Sequence, residues 1–200
     1  VLVATGSTYR RLGVPGEDDL IGAGIHFCAT CDGPFYKGEE VAVIGGGNSA
    51  GEEALFLTRF ASRVTMLVRG DALTASKLVA AKVAECSQIT IRYHTEVTAF
   101  HGHSKLRAIT IHDRANDITE DIHPAGVFVF IGLFPNTGWL PAELKRDAQQ
   151  FIATSPTLAT SMPGIFAAGD VRAGSTKQAA SAAGEGATAA LMIREYLKTV

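Results

Sequence analysis

The chain has 200 residues, 46% hydrophobic and 19% charged, with a formal net charge of -2 when its six histidines are counted as neutral. That length buries a substantial core, and the near-neutral charge gives no reason to expect nucleic acid or an anionic membrane as a partner. No apolar run approaches the ~20 residues of a membrane span and no secretory signal is present, so we expect a cytoplasmic protein.

The chain opens inside an apolar run, Val1–Ala4, which predicts a buried strand, and it does not begin with methionine. We therefore expect that an N-terminal segment is missing. The next stretch, Arg10–Gly24, is rich in glycine, proline and acidic residues, which indicates a loop or linker. There are three cysteines, Cys28, Cys31 and Cys86. An odd, low count argues against a secreted disulfide framework.

A strand–loop–helix–strand pattern follows the first two cysteines. We predict strands at Glu40–Ile44 and Arg63–Val68, with a helix at Asn48–Phe60 between them. The length fits the ~30 residues that a βαβ unit requires. A second helix is predicted at Ser76–Glu85, with Ser76 as its N-cap.

The rest of the chain alternates between strand and helix patterns. Four β-like runs predict an antiparallel meander: Ile89–Tyr93, Glu96–Phe100, Leu106–His112 and Asp117–His123. Continuous apolar runs at Val127–Ile131 and Ile165–Ala168 indicate buried strands. Gln178–Leu197 predicts an alanine-rich helix that is broken at Gly184 and Gly186. We therefore predict an α/β fold, a Rossmann-like NAD(P)H-binding domain with a parallel sheet and a meander, flanked by parts of another domain.

A glycine-rich loop lies between the predicted strand at Glu40–Ile44 and the helix that follows. It matches G-x-G-x-x-A, with candidate cofactor contacts at Gly45, Gly47, Asn48, Ser49 and Ala50. The first glycine permits a tight turn, the second lets the backbone approach a pyrophosphate, and the small third residue permits close helix–strand packing. The helix N-terminus adds unpaired N–H groups. The alternative is an ordinary packing turn.

The residue after the second strand of this unit bears on the choice of nucleotide. An NAD site usually has Asp or Glu there, whereas this chain has Arg69. A guanidinium favours a 2′-phosphate and therefore NADPH. The alternative is a solvated arginine at a strand end.

The first two cysteines form a C-x-x-C pair, Cys28 and Cys31. Such a pair can close a small disulfide ring, and at the start of a helix the dipole lowers the pKa of the first thiol. Asp32 follows directly and is a candidate acid/base for thiol exchange. The alternative is zinc, which would need a second C-x-x-C or C/H pair. Cys86 stands alone and the histidines show no metal-type pairing with it, so we predict no metal site.

Together these motifs resemble the NADPH domain of bacterial low-molecular-weight thioredoxin reductases, class II pyridine nucleotide-disulfide oxidoreductases. The resemblance rests on Phe27–Gly33, Val41–Ala50 and Glu52–Ala54. Two later segments resemble parts of that family's FAD domain. They are Gly164–Asp170, similar to a flavin-binding segment, and Lys177–Ala179, similar to the flavin contact after it.

The resemblance implies a mechanism. NADPH would reduce FAD, and the flavin would reduce the disulfide between Cys28 and Cys31. Cys31 would lie nearer the flavin, Cys28 would attack the disulfide of a thioredoxin-like partner, and Asp32 would be the acid/base. Asp170 would bind the ribityl chain. The implied cofactor contacts beyond the glycine loop are Arg69, Ile131, Gly132, Gly169, Asp170, Lys177, Gln178 and Ala179. A homodimer is also implied.

The resemblance further implies three segments: 1–8 ends the N-terminal part of an FAD domain, 9–133 is the NAD(P)H-binding domain with the C-x-x-C, and 134–200 is the C-terminal FAD-domain segment. Hinges are expected in Arg10–Gly24 and Gly132–Asn136. The chain departs from the family in lacking the first FAD-binding segment, in having Gly70 and Thr74 where further arginines are expected, and in having Lys177 in place of arginine. The alternatives are a catalytically incomplete nucleotide-binding fragment, or a related flavoprotein reductase with another disulfide acceptor or electron donor.

Overall fold

The computed structural model describes residues 1–199. The chain divides into two compact units. The central unit is Arg11–Ile131, and the terminal unit combines Val1–Arg10 with the stretch from Gly132 onward. Within the described residues, no helix has both the length and the apolar character that a bilayer crossing requires.

Within residues 1–199, these units contain twelve strands and five α-helices. The strands are β1 (Leu2–Val3), β2 (Ser7–Tyr9), β3 (Ile25–His26), β4 (Glu40–Ile44), β5 (Arg63–Leu67), β6 (Ile89–Arg92), β7 (Thr95–Gly102), β8 (Leu106–Asp113), β9 (Ile118–Ile122), β10 (Gly126–Val129), β11 (Leu133–Pro135) and β12 (Phe166–Ala167). The helices are α1 (Glu17–Leu20), α2 (Ala29–Asp32), α3 (Asn48–Leu57), α4 (Lys77–Glu85) and α5 (Ala179–Tyr196), with 3₁₀ turns at Gly33–Tyr36 and Gly169–Val171.

A five-stranded parallel sheet, in the order β3-β10-β4-β5-β6, organises the central unit. Both faces of β4 are buried because Val41 and Val43 pack with α3 and α4, whereas Ala42 and Ile44 pack with the antiparallel sheet β7-β8-β9. This double burial explains the continuous apolar run of the strand. The predicted α/β fold with a parallel sheet and a meander is confirmed.

One strand of the predicted meander belongs elsewhere. The segment Ile89–Tyr93 forms β6, which pairs in parallel with β5 at the edge of the five-stranded sheet. An edge strand is half exposed, so its alternating polarity is the same as that of an antiparallel strand. The pattern therefore could not separate the two arrangements.

The predicted break in the C-terminal helix is wrong, because α5 runs unbroken through Gly184 and Gly186. Glycine costs a helix only about 1 kcal/mol relative to alanine. Tertiary contacts on the same stretch offset that cost. Glu185 bonds to Arg172, and Ala189 is fully buried.

The predicted loop at Arg10–Gly24 contains the short helix α1. Its first residue, Glu17, is buried, and its carboxylate accepts the N–H groups of Leu12 and Gly13 at 3.0 and 2.7 Å. Leu20 at the other end is also buried. The acidic residue that suggested a solvated linker therefore ties the segment together.

The terminal unit contains two small sheets. In one, β1 pairs in parallel with β12, and in the other, β2 pairs antiparallel with β11. The run Val1–Ala4 was predicted as a buried strand, but only Val3 is buried, while Val1 and Leu2 are exposed. A two-residue strand in a two-stranded sheet has only one covered side.

The contact between α3 and α4 depends on Gly51. A Cβ at this position would lie 2.5 Å from Cγ1 of Val79, a stiff β-branched side chain. We expect Gly51→Ala to lower the free energy of unfolding by about 1–3 kcal/mol through overpacking, although alanine is the better helix former. Urea unfolding followed by circular dichroism measures this.

A matched control for this substitution is Glu52→Ala, an exposed position on the same helix. It should change stability by less than about 0.5 kcal/mol. Unchanged or increased stability of the Gly51→Ala protein would contradict the packing argument.

Candidate active site

The cysteine pair is oxidised in this structure. Cys28 and Cys31 form a disulfide with their Cα atoms 5.3 Å apart. Cys28 caps α2, because its Sγ accepts the N–H of Cys31 at 3.1 Å. Cys28 is half-buried and Cys31 is exposed. The pair therefore presents a sulfur at the surface just after β3 ends.

A sulfur in a disulfide is not a thiolate ligand for zinc. Across residues 1–199, no three His, Cys, Asp or Glu side chains are grouped as a metal site requires. Cys86 is a free, half-buried thiol at the end of α4.

Asp32, the predicted acid/base, ends α2 next to the disulfide, and its carboxylate faces a histidine. The Nδ1 atom of His26 lies 3.3 Å from Oδ2 of Asp32. On the other side of the same ring, Nε2 lies 2.6 Å from the hydroxyl of Tyr36. The imidazole therefore bridges the carboxylate and the phenol.

Sequence reasoning missed this role for His26 and weighed that residue only as a metal ligand. The signal in the sequence was its position, two residues before Cys28 at the end of a strand. The bridge itself depends on tertiary packing. His26 pairs across the sheet with Phe128, and the two rings stack with centroids 5.3 Å apart.

Burial governs the charge of this group. Loss of solvation lowers the pKa of His26, and the opposing effect of the Asp32 carboxylate is smaller. Burial also raises the pKa of Tyr36, and the negative charge of Asp32 adds to that rise. At neutral pH the site therefore holds a neutral imidazole and a protonated phenol.

The glycine loop lies between β4 and α3, as predicted. Gly45 has φ +138°, and a Cβ there would lie 2.4 Å from the carbonyl oxygen of Phe130, so only glycine fits. Ala50 is fully buried, so its side chain packs and does not face a ligand. Gly47 caps α3, and the helix's amide N–H groups at Asn48 and Ser49 precede the first helical hydrogen bond, which Gly51 donates to Gly47.

A second loop, Gly70–Ser76, folds back against the glycine loop. The N–H groups of Thr74 and Ala75 both donate to the carbonyl of Gly46, at 2.8 and 3.1 Å. The amide oxygen of Asn48 accepts the N–H of Ser76 at 2.7 Å. Ser76 also caps α4, as predicted, because its hydroxyl accepts the N–H of Val79. Asn48 thus has a structural partner that the motif did not reveal.

Arg69 is exposed one residue beyond Val68, just after β5. Lys77, the first residue of α4, is also exposed. Both cations lie on the chain segments that immediately flank the second loop.

In the terminal unit, two neighbouring carboxylates differ in their bonding. Oδ1 of Asp170 is buried and has no hydrogen-bond partner within residues 1–199. Glu185 is saturated by comparison, because it accepts the N–H of Gly169 at 2.7 Å and pairs with Arg172. These bonds lower the pKa of Glu185, the bond from Arg172 having the largest effect.

Three more predicted contacts, Lys177, Gln178 and Ala179, lie just before and at the start of α5. The ammonium of Lys177 donates to the carbonyls of Asp170 and Arg172 at 2.8 and 3.0 Å. Burial lowers the pKa of this ammonium. The backbone of Lys177 is left-handed, with φ +58°. Gln178 caps α5 and Ala179 begins it, both exposed. The ammonium group of Lys177 is therefore hydrogen-bonded to backbone carbonyls of the chain itself.

The last two predicted contacts are Ile131, the last residue of the central unit, and Gly132, at which the chain returns to the terminal unit. Gly132 has φ +105°, and its carbonyl accepts the N–H of Arg10 at 3.0 Å. Ile131 is half-buried.

Residues 1–186 match the family model described as pyridine nucleotide-disulphide oxidoreductase. The chain belongs to this family. The oxidised cysteine pair and the glycine loop thus occur in a chain whose family is named for a nucleotide and a disulfide.

The individual relatives are more specific than the family description, because they are thioredoxin reductases. The chain is 40% identical over 200 residues to a thioredoxin reductase of Treponema pallidum, covering all of this chain and 65% of that protein. It is 41% identical over 198 residues to that of Streptomyces clavuligerus, covering 98% of this chain and 62% of that protein. The chain thus spans less than two thirds of the length of these relatives.

Solved structures agree with this similarity. A thioredoxin reductase from Streptococcus pyogenes superposes with a TM-score of 0.92 at 36% identity, covering 100% of this chain and 65% of that one. One from Giardia duodenalis gives 0.91 at 35% identity, covering 98% and 65%.

The burial of His26 has a consequence for stability. The folded pKa lies below the ordinary value of 6.5, so below about pH 6.5 the unfolded chain binds more protons than the folded chain. We expect the free energy of unfolding of the oxidised protein to fall as the pH drops through this region. His26→Gln should flatten that fall, as urea unfolding between about pH 5 and pH 8 would measure.

The matched control is His103→Gln, at an exposed turn after β7. This variant should keep the pH slope of the wild-type protein. A slope that His26→Gln leaves unchanged would show that burial of His26 is not its source.

Proposed function

We propose that the full-length protein is an NADPH-dependent thioredoxin-disulfide reductase. The observation that carries the proposal is that the disulfide and the glycine loop both follow the carboxyl ends of strands in one parallel sheet. Cys28 comes after β3 and Gly45 after β4, with β10 between the two strands. Ligands of open α/β sheets bind at this edge. The thioredoxin reductases among the relatives support the choice of acceptor.

The overall reaction consumes NADPH, one proton and a disulfide, and yields NADP⁺ and a dithiol. We propose that Cys28 attacks the disulfide of a thioredoxin-like protein after the pair has been reduced, and that Cys31 then displaces the partner's thiol. Asp32 would give or take the proton at the cysteine sulfurs. Its position at the end of α2 supports that assignment.

We propose that NADPH binds at the glycine loop, with its pyrophosphate at the N-terminus of α3 and its 2′-phosphate near Arg69. The unpaired amides of the first helical turn and the exposed guanidinium support this. Lys77, exposed at the start of α4, would take the place of the arginines that are absent at Gly70 and Thr74.

The terminal unit supports an FAD contact, because the buried Oδ1 of Asp170 lacks a partner within residues 1–199 and suits a hydroxyl donor. We propose that Asp170 and Gly169 hold the ribityl region and that Gln178 and Ala179 approach the ring. When bound, FAD supplies a carrier that accepts a hydride and passes on two electrons. The terminal unit would then be part of an FAD domain, the central unit the NADPH domain, and the protein a homodimer.

The roles of the cysteines can be separated in the full-length protein. We expect Cys28→Ser to abolish turnover of a thioredoxin while bleaching of the flavin absorbance by NADPH persists, because only the acceptor step needs that sulfur. Stopped-flow absorbance and a thioredoxin assay measure the two steps. Cys86→Ser is the control and should retain both. Thioredoxin turnover by the Cys28→Ser protein would refute the role of Cys28, and a colourless full-length protein would refute the flavoenzyme.

The choice of nucleotide depends on Arg69. We expect Arg69→Ala to weaken NADPH binding by about 1–3 kcal/mol, the worth of a charged hydrogen bond, and to change NADH binding little. Titration calorimetry with both nucleotides measures the difference. Arg107→Ala, an exposed arginine on β8, should change neither. If Arg69→Ala weakened the binding of NADPH and of NADH equally, the proposed contact between Arg69 and the 2′-phosphate would be refuted.

A further inference from the structure

The imidazole of His26 bridges Asp32 and Tyr36, and the proposed reaction gives this bridge no role. We propose that Tyr36 and His26 form a proton relay that delivers protons from solvent to Asp32. This inference rests on the proposed function, because the need for a proton at Asp32 belongs to it. His26 and Tyr36 are positioning and relay residues here, since they act through Asp32.

The ring of His26 is fixed by packing on several sides. Phe128 stacks on it at 5.3 Å, and Tyr36 meets both rings edge-on, at 5.4 Å from His26 and 5.6 Å from Phe128. The side chain of His26 is 10% exposed. Within residues 1–199, Nε2 has one hydrogen-bond partner, the Tyr36 hydroxyl at 2.6 Å, and Nδ1 has one charged partner, the Asp32 carboxylate at 3.3 Å. A ring held in this way connects the two groups during a single transfer.

The charge states of Asp32, His26 and Tyr36 set the direction in which a proton moves, from Tyr36 toward Asp32. With Asp32 ionised and the imidazole neutral, the favourable tautomer carries its proton on Nδ1, toward the carboxylate. Nε2 then accepts the hydrogen of the Tyr36 hydroxyl. Burial keeps the imidazole neutral and the phenol protonated, which preserves this arrangement near neutral pH.

The transfer balances without any further reactant. Asp32 gives its proton to a cysteine thiolate and becomes a carboxylate. The Nδ1 proton of His26 moves to Asp32, Nε2 takes the proton of Tyr36, and a water proton restores Tyr36. The net result is one proton moved from solvent to sulfur, the proton that the overall reaction consumes, and an imidazole left with its proton on Nε2. A half-turn of the ring then restores the Nδ1 tautomer for the next turnover.

The outer end of the relay opens into a cleft of about 520 Å³. Both His26 and Tyr36 line it, together with the ionisable groups Glu39 and Lys105. Among the described residues, none from Cys28–Cys31 lines the cleft. The side chain of Asp32 is itself 31% exposed, so it needs the relay only when a group that covers the disulfide also covers Asp32. Water in the cleft can still reach Tyr36 at that stage.

The first test uses the full-length enzyme with NADPH and a thioredoxin, whose product cysteine thiols take up protons near neutral pH. We expect His26→Ala to reduce turnover on the order of tenfold, and added imidazole to restore it, because a diffusible base replaces the relay. Tyr36→Phe, which keeps the packing, should slow turnover in the same direction. His103→Gln should not change it. A rate unaffected by both relay variants, or a His26→Ala loss that imidazole does not restore, overturns the relay.

The second test needs no acceptor. The reduced full-length protein is alkylated with iodoacetamide as a function of pH, which reports the apparent pKa of the reactive thiol. We expect His26→Ala to move that profile by about half a pH unit or more, because Asp32 loses its ring N–H partner. In an Asp32→Asn background the same change should add nothing. An equal, additive shift in both backgrounds overturns the inference.

These two tests separate the inference from the proposed function. If the alkylation profiles couple His26 to Asp32 but the protein reduces no disulfide with NADPH, the link between the residues is supported and the proposed function fails. If disulfide reduction is normal and His26→Ala changes neither the rate nor the profile, the function stands and the relay is overturned.

Discussion

The placement of β10 is the constraint on which the candidate active site depends. This strand comes late in the central unit, yet it lies between β3 and β4 and pairs in parallel with both. Its Phe128 supports the ring of His26, and the carbonyl that follows it, at Phe130, leaves room only for glycine at Gly45. Gly126 at its start makes room for Tyr36, since a Cβ there would lie 2.3 Å from the Tyr36 ring. One strand thus supports the disulfide segment and the glycine loop together.

The predictable features are local ones. The strand β4, the glycine loop and the Ser76 cap follow from residues within a few positions of one another, and the structure has each of them. The features that sequence reasoning missed depend on distant pairing. No residue close to His26 in the sequence indicates that Phe128 is its partner, because the two residues meet only through the register of two parallel strands. Likewise β6 and the unbroken α5 owe their form to neighbours across the fold, which a periodicity cannot reveal.

The two carboxylates of the terminal unit show how the same side-chain chemistry serves different ends. Glu185 is saturated by Arg172 and the N–H of Gly169, so it stabilises the turn before α5 without any outside group. Within residues 1–199, one buried oxygen of Asp170 has no hydrogen-bond partner, which costs about 1–3 kcal/mol unless a donor binds there. A fold can keep such an unpaired oxygen when a bound ligand supplies the missing donor and so offsets the cost. The role predicted for Asp170 came from the family resemblance alone, and its unsatisfied oxygen is an independent reason to place a ligand there.

The proton chemistry at Asp32 follows from apolar packing. A solvated histidine beside a carboxylate would be cationic at neutral pH, and the resulting ion pair would hold Asp32 ionised and oppose its protonation. Here desolvation against Phe128 outweighs the attraction of Asp32, so the pKa of His26 falls and the imidazole is neutral. A neutral ring has one donor and one acceptor, and only that form can take a proton at Nε2 as it gives one from Nδ1. A buried phenylalanine with no polar atom in its side chain therefore determines which way a proton can move.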